Sequence, residues 1–152
     1  MKQRIFFFLI TVYLLQINEV FCQSSKANLL GVFDGRTPCQ ELAKQISEQV
    51  STECIKIKWR LTLYNDASGN PGTYELIGFV HKKENPAVGK WRILRGTATD
   101  KNAIVYQIDL QGKEPLFLLK ADDNILFFLD KEKRLMVGNK DFSYTLNRKK
   151  EL

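Results

Sequence analysis

Histidine is almost missing from this chain, in which His81 is the only one among 152 residues. Nucleophilic catalysis of the Ser-His-Asp or Cys-His type needs an imidazole placed beside its nucleophile. A lone histidine followed by Lys82-Lys83 is more typical of an exposed surface position than of a general base or a metal ligand. Since no other set of catalytic side chains can be assembled, the sequence predicts a protein that is not an enzyme and that uses no cofactor.

Cysteine is scarce as well, with Cys22, Cys39 and Cys54 as the three examples. None of them forms a Cys-x-x-Cys motif or has a histidine nearby, so the spacing gives little support to a zinc site or to dithiol redox chemistry. In an exported chain, Cys39 and Cys54 are expected to form a disulfide, which a short intervening helix would allow. Metal ligation or redox chemistry at these thiols is the alternative.

A long apolar run is also missing. Lys2 and Arg4 precede an apolar stretch from Ile5 to Leu15, which a polar stretch separates from Cys22. This layout is typical of a secretory signal peptide, and the run is shorter than the roughly 20 residues that span a membrane. We therefore predict a signal peptide at residues 1–22 and a single exported domain at 23–152, in the periplasm or cell envelope. Lipid attachment at Cys22 is the alternative, and only then is membrane association expected.

The positive charge is not concentrated along the chain. The net charge is +6, yet the lysines are scattered and the one dense cluster is Arg148-Lys149-Lys150. Nucleic-acid binders usually show a basic stripe with interleaved aromatic residues, so no nucleic-acid partner is expected. A solvated surface is the favoured interpretation, and weak contact with anionic envelope surfaces is the other.

Helical patterning is confined to one segment. Thr37 is suited to cap a helix, Pro38 to occupy its first position and Gln40 to complete a Thr-x-x-Gln capping box. We expect this helix to run to about Gln49. Its apolar face would consist of Cys39, Leu42, Ala43, Ile46 and Val50, and its polar face of Lys44, Gln45 and Glu48.

Strand patterning, by contrast, fills the rest of the chain. From Cys54 onward, apolar residues at Ile55, Ile57, Trp59, Leu61 and Leu63 alternate with polar ones. The other predicted strands are Asn28 to Phe33 (ended by an Asp34-Gly35 turn), Thr73 to Lys82, Gly89 to Thr97, Ala103 to Leu110, Pro115 to Lys120, Asn124 to Leu129 and Phe142 to Leu146.

About eight strands at regular spacing, without helices between them, predict a mainly β protein: an antiparallel up-and-down barrel with one short N-terminal helix packed on it. The alternative architecture is a helix held by a curved open sheet. Ile125 to Leu129 is apolar on both faces, so this strand should be paired on both sides or covered.

Two tryptophans and one arginine are the candidate ligand-binding residues. Trp59 and Trp91 lie on strands whose inward faces would line a barrel interior, although filling of the core is the default role for an indole ring. Arg36, at the start of the helical segment, completes the set. No metal ligands are predicted.

Several short motifs resemble one known family. They are Gly31-Val32-Phe33 leading to Pro38-Cys39, then Gly89-Lys90-Trp91, Asn124-Ile125-Leu126, Leu129-Asp130-Lys131 and Phe142-Ser143-Tyr144-Thr145-Leu146. In this order they resemble the N-terminal domain of NlpE-type lipoproteins over most of residues 28–148. The resemblance implies a lipocalin-like barrel and a link to envelope stress and copper resistance. Where that family has Pro-Cys-x-x-Cys, this chain keeps Pro38-Cys39 and has Leu42 in place of the second cysteine.

We therefore expect an exported, non-enzymatic, lipocalin-like protein of the bacterial cell envelope that binds a small apolar ligand or an envelope protein. The alternative is a copper- or redox-sensing protein that acts through Cys39.

Overall fold

The computed structural model describes residues 28–79 and 81–150, which form a closed antiparallel barrel of eight strands. Neighbours along the chain are neighbours in the sheet, and β8 returns to pair with β1. The elements are β1 (Asn28–Pro38), α1 (Gln40–Gln45), β2 (Lys56–Asn65), β3 (Pro71–Ile77), β4 (Ala87–Arg95), β5 (Ile104–Ile108), β6 (Leu116–Lys120), β7 (Ile125–Leu129) and β8 (Thr145–Arg148). The predicted barrel is confirmed, and the open-sheet alternative is wrong. The predicted signal peptide and Cys22 lie outside the described residues.

The alternation predicted for β2 is present from Ile57 onward. Ile57, Trp59, Leu61 and Leu63 are all buried inside the barrel, whereas the residues between them face outward. Ile55 departs from the prediction, because the strand begins at Lys56 and Ile55 is 69% exposed. The first apolar residue of the pattern therefore belongs to the connection before the strand.

The first strand is longer than predicted. Asp34-Gly35 was expected to be a turn, but in the structure these residues pair with Arg60 and Trp59 of β2, and β1 continues to Pro38. Gly35 also pairs with Leu146 of β8. A Cβ on Gly35 would overlap the backbone of β8, so glycine is needed here for close approach of two strands rather than for a turn.

The predicted capping box does not form, because two of its side chains bind elsewhere. Thr37 and Pro38 are strand residues, and the helix follows Cys39 without a side-chain cap. The Thr37 hydroxyl accepts a hydrogen bond from the indole N–H of Trp59 at 2.9 Å. The Gln40 amide donates to the carbonyl oxygen of Ser51 at 2.9 Å and to that of Cys54 at 3.1 Å. Both side chains therefore hold distant segments together instead of starting the helix.

Helix α1 lies across one end of the barrel, which we call the upper end. It is also shorter than expected and ends at Gln45. Leu42, Ala43 and Ile46 are buried as predicted. Gln45, expected on the polar face, is buried too and donates to the carbonyl oxygen of Leu129 at the end of β7, at 2.9 Å. The barrel rim thus contacts part of the face that sequence periodicity assigned to solvent.

Arg148 lies at the opposite, lower end, where β1 begins and β8 ends. Its guanidinium stacks on Phe33, 4.9 Å from the ring centroid, and donates to the carbonyl oxygen of Leu30 at 2.8 Å and to that of Asp123 at 2.6 Å. Gly31 leaves room for this side chain, since a Cβ there would overlap the guanidinium. Part of the basic C-terminal cluster is therefore structural.

Strand β7 is paired on both sides, as its doubly apolar sequence predicted, with β6 on one side and β8 on the other. Leu126 and Phe128 point into the core.

The last strand, β8, starts later than predicted. The side chain of Asn139 accepts hydrogen bonds from the N–H groups of Asp141 and Phe142 and holds that segment in a turn. Within residues 28–79 and 81–150, no helix is long and apolar enough to cross a membrane.

Candidate functional site

A cavity of about 350 Å³ lies at the upper end of the barrel. It is enclosed by the segment that follows α1, the hairpin between β3 and β4, and the loop between β5 and β6. Its apolar wall is formed by Ile46, Trp59, Tyr74, Leu76, Phe79 and Leu110. Polar side chains at its edge come from Glu48, His81, Asn85, Gln111 and Lys113.

Trp59 is held rigidly in the cavity wall. Its N–H is bonded to the Thr37 hydroxyl, and its ring contacts Phe128 at a centroid distance of 5.4 Å. Gly78 lies against the indole, because a Cβ built on Gly78 would come within 2.6 Å of a ring carbon. The indole therefore has one orientation, and its polar atom is already satisfied inside the protein.

Tyr74 forms another part of the wall and is also fixed. Its hydroxyl donates to the carbonyl oxygen of Asp109 at 2.9 Å, and Gly89 on β4 leaves space for its ring. Burial raises the pKa of Tyr74, and the nearby Asp109 carboxylate acts in the same direction. Tyr74 thus stays neutral at physiological pH and offers the cavity mainly a ring surface.

The edge of the cavity carries an ion pair between Glu48 and Lys113, which ties the segment after α1 to the β5–β6 loop. The Glu48 side chain is only 12% exposed. His81 is partly buried beside the cavity, and its backbone forms an isolated bridge with Gly78. It is therefore less exposed than the sequence predicted.

Phe79 adopts a backbone conformation that is unusual for its residue type, with φ of 47°. In the left-handed region a residue with a Cβ is destabilised by roughly 1–2 kcal/mol, and such strain is often found at functional sites. The conformation places the Phe79 ring edge-on against Trp59, with centroids 5.2 Å apart. Phe79 consequently covers the indole at the side of the cavity.

The structure does not bring the three predicted ligand-binding residues together. Trp59 lines the cavity. Trp91 fills the core instead, where its N–H donates to the carbonyl oxygen of Tyr64 at 2.8 Å and its ring packs on Tyr106. Arg36 is exposed on the outer face of β1, since inward positions on this strand fall on odd-numbered residues such as Phe33 and Thr37. Only the Trp59 prediction concerns this cavity.

Cys39 and Cys54 form the predicted disulfide, with Cα atoms 5.8 Å apart. Cys39 is 1% exposed, and the bond closes the loop that contains α1 and the cavity residues Ile46 and Glu48. Among the residues that the structure describes, no group of three or more His, Cys, Asp or Glu side chains is placed to hold a metal ion. The disulfide thus fixes the position of the segment that covers the cavity.

Most of the cavity residues were not singled out from sequence. These residues come from three separate segments that only the closed barrel brings together: Ile46 with Glu48, Phe79, and Lys113. Tyr74 could have been identified from the sequence, because it alternates with polar residues on β3 and therefore faces inward.

Comparisons of the chain with protein-family models, curated proteins and solved structures gave no match.

Proposed function

We propose that this protein is an exported, non-enzymatic binding protein that holds a small apolar ligand in the cavity at the upper end of the barrel. The observation that supports this most is a partly enclosed cavity of about 350 Å³ with an aromatic and aliphatic wall. Ligand pockets are typically concave, mostly apolar and about 300–1,000 Å³ in volume, with a few polar groups that orient the ligand.

The chemistry of the wall favours an apolar occupant. The N–H of Trp59 is bonded to Thr37, and the hydroxyl of Tyr74 is bonded to Asp109. These two large side chains therefore present ring surface rather than free donors to a ligand. A polar group placed against these two rings would lose its hydrogen bonds to water without replacement, at about 1–3 kcal/mol for each group, whereas an apolar group gains by leaving water.

The place of action that we propose is the bacterial cell envelope, with a role in the response to envelope stress. The Cys39–Cys54 disulfide supports an exported protein, because such bonds persist in oxidising compartments such as the periplasm. The N-terminal charge and hydropathy pattern supports export as well. The envelope role draws on the resemblance to NlpE-type proteins.

Sensing of copper or redox state through Cys39 gains no comparable support from the geometry. The sulfur is bonded to Cys54 and buried, so a redox role would have to begin with reduction of this bond. Counting free thiols in the native protein separates the two functions. We expect none from Cys39 and Cys54 until a reductant is added.

Filling the cavity tests the binding function. Ala87 belongs to the cavity lining, so Ala87→Phe should place a ring where the ligand would lie. Ala121 is exposed in the turn between β6 and β7, which makes Ala121→Phe a matched control with the same change in side chain. The ligand probe is phenylnaphthylamine, an uncharged molecule that fluoresces in apolar surroundings.

We expect saturable binding of phenylnaphthylamine by the wild type and by Ala121→Phe, and strongly weakened binding by Ala87→Phe. Circular dichroism establishes that both variants are folded. Equal binding by the wild type and Ala87→Phe would show that this cavity is not the ligand site.

A further inference from the structure

A basic groove runs along the outer face of the barrel beside the cavity. Its exposed cations are Arg36 on β1, Lys58 on β2 and Lys83 in the β3–β4 hairpin, and its volume is about 770 Å³. Two carboxylates also line it. Asp34 is neutralised by Arg60 at 2.7 Å, which leaves Asp141 as the other acid.

Two of these cations oppose each other directly. Arg36 and Lys58 are cross-strand partners in the β1–β2 register. Like charges at directly opposed positions destabilise a sheet, whereas the neighbouring Asp34–Arg60 pair is an ion pair with two hydrogen bonds. Within residues 28–79 and 81–150, no carboxylate forms a salt bridge with Arg36, Lys58 or Lys83. The uncompensated charge is therefore available to an anion.

The basic groove and the cavity lie on either side of Trp59, which contributes to the lining of both. The pairing of β2 with β3 reaches only as far as Arg60 and Ile77. The β2 residues before Arg60 have no partner in β3, and Phe79 of the β3–β4 hairpin packs against Trp59 there. A neighbouring groove includes Lys58 and Lys83 of the basic groove together with Phe79 and His81 of the cavity. Positive charge and apolar wall thus meet at the same edge of the barrel.

We propose that the basic groove binds the anionic head of a single-chain amphiphile, a carboxylate or a phosphate, whose apolar chain occupies the cavity. This inference rests on the proposed function and specifies the class of ligand. The planar guanidinium of Arg36 can donate two parallel hydrogen bonds to a carboxylate or phosphate, and Lys58 and Lys83 add positive charge at the same site. Apolar burial supplies the affinity, and the head group supplies the selectivity.

Three ligands with the same chain and different heads test this inference: decanol, decanoate and decylammonium. Each is titrated against protein loaded with phenylnaphthylamine, below the concentration at which micelles form, and decyl phosphate is added to compare phosphate with carboxylate. The test variant is Arg36→Gln/Lys58→Gln. Lys101→Gln is the control, because Lys101 is an exposed cation in the β4–β5 turn at the lower end.

In the wild type and in Lys101→Gln, decanoate should displace the probe at a lower concentration than decanol, and decylammonium should be the weakest competitor. In Arg36→Gln/Lys58→Gln, decanoate binding should weaken roughly five- to tenfold while decanol binding stays unchanged. The double variant should also unfold at the same or a higher denaturant concentration than the wild type, because it removes a repulsive pair.

The two proposals fail in different ways. If decanol and decanoate bind equally well and the double variant changes neither, the anionic head group is wrong and the apolar cavity stands. If none of the amphiphiles displaces the probe and the probe itself does not bind, both proposals are wrong. If the anionic preference persists in the double variant, Arg36 and Lys58 do not select the head group, and the proposed head-group site is wrong.

Discussion

The ring of Phe79 meets the indole of Trp59 edge-on, with centroids 5.2 Å apart, although the backbone of Phe79 is in the left-handed region. An edge-to-face pair of this kind contributes about 0.5–1.5 kcal/mol beyond the area that it buries. That gain offsets only part of the backbone strain. Holding Phe79 against the cavity wall therefore lowers the local stability.

Substitutions of Phe79 should separate the strain from the ring contact. Phe79→Ala keeps the strain and loses the ring, whereas Phe79→Gly loses both. We expect Phe79→Gly to be more stable than Phe79→Ala by about 1 kcal/mol, the reverse of the usual order for these two residues in regular structure. Urea unfolding measures the difference. A more stable alanine variant would contradict the left-handed conformation.

The Cys39–Cys54 disulfide should stabilise the protein by about 3 kcal/mol, the value expected for a loop of this length. Replacing both cysteines by alanine should lower the denaturation midpoint accordingly and should weaken probe binding, because Ile46 and Glu48 belong to the segment that the bond secures. The matched control is the wild type in reductant, which should fall to the stability of the double variant. Equal midpoints for the oxidised wild type and the double variant would show that the bond adds no stability.

Arg148 should matter for stability far more than its neighbour Lys149. Arg148→Ala removes two hydrogen bonds from a charged donor and the stacking on Phe33, for an expected loss of about 2–3 kcal/mol. Lys149→Ala, at an exposed site, should change the stability by less than about 0.5 kcal/mol.

Gly31→Ala provides the second half of this test. It should destabilise the wild type, because the added methyl group displaces the guanidinium, and it should be nearly harmless in Arg148→Ala. Additive effects of the two substitutions would contradict the contact.

Tyr144 should make the protein sensitive to alkali. Its hydroxyl is buried without a hydrogen-bond partner among the described residues, and burial, aided by Glu41, raises its pKa to about 12. In the unfolded chain a tyrosine ionises near pH 10. The unfolded state thus loses its proton first, so the stability contribution that is present below about pH 10 declines between pH 10 and 12.

Urea unfolding of Tyr144→Phe should show a smaller alkaline decline than the wild type. At pH 7 this variant should be as stable as the wild type or more stable by about 1 kcal/mol, because it removes an unpaired hydroxyl. Tyr74→Phe is the control: it breaks the hydrogen bond to Asp109 and should be less stable at pH 7. A loss of stability at pH 7 in Tyr144→Phe would mean that its hydroxyl has a partner.

Strand patterning predicts much of this fold because alternation is a local property. β2 shows this well, with Ile57, Trp59, Leu61 and Leu63 all buried as expected. The start of the helix was predicted wrongly because Thr37, Pro38 and Gln40 fit a capping box equally well in the sequence. Only the fold shows that Trp59 and the Ser51 backbone use two of those side chains instead.

The residues of the candidate site were harder to predict from the sequence than the strands. Trp59 and Trp91 both lie on strands with alternating apolar residues, so the sequence does not distinguish their roles. In the fold, the Trp91 ring fills the core, where its N–H bonds to Tyr64, whereas the Trp59 ring faces the cavity. Arg36 belongs to the outer face because β1 continues as a strand past Gly35, where the sequence predicted a turn. The opposition of Arg36 and Lys58 depends on the strand register, which local patterns do not specify.

The most direct test of the central claim uses Trp59 as the reporter. The chain contains two tryptophans, so Trp91→Phe leaves Trp59 as the only indole. Bromodecanol is an uncharged ligand whose bromine quenches indole emission only at contact distance. We predict saturable quenching of Trp59 by bromodecanol, and loss of this quenching when Ala87→Phe is added to the same protein. Emission that bromodecanol leaves unchanged, or quenches equally when Ala87→Phe is present, would contradict the claim.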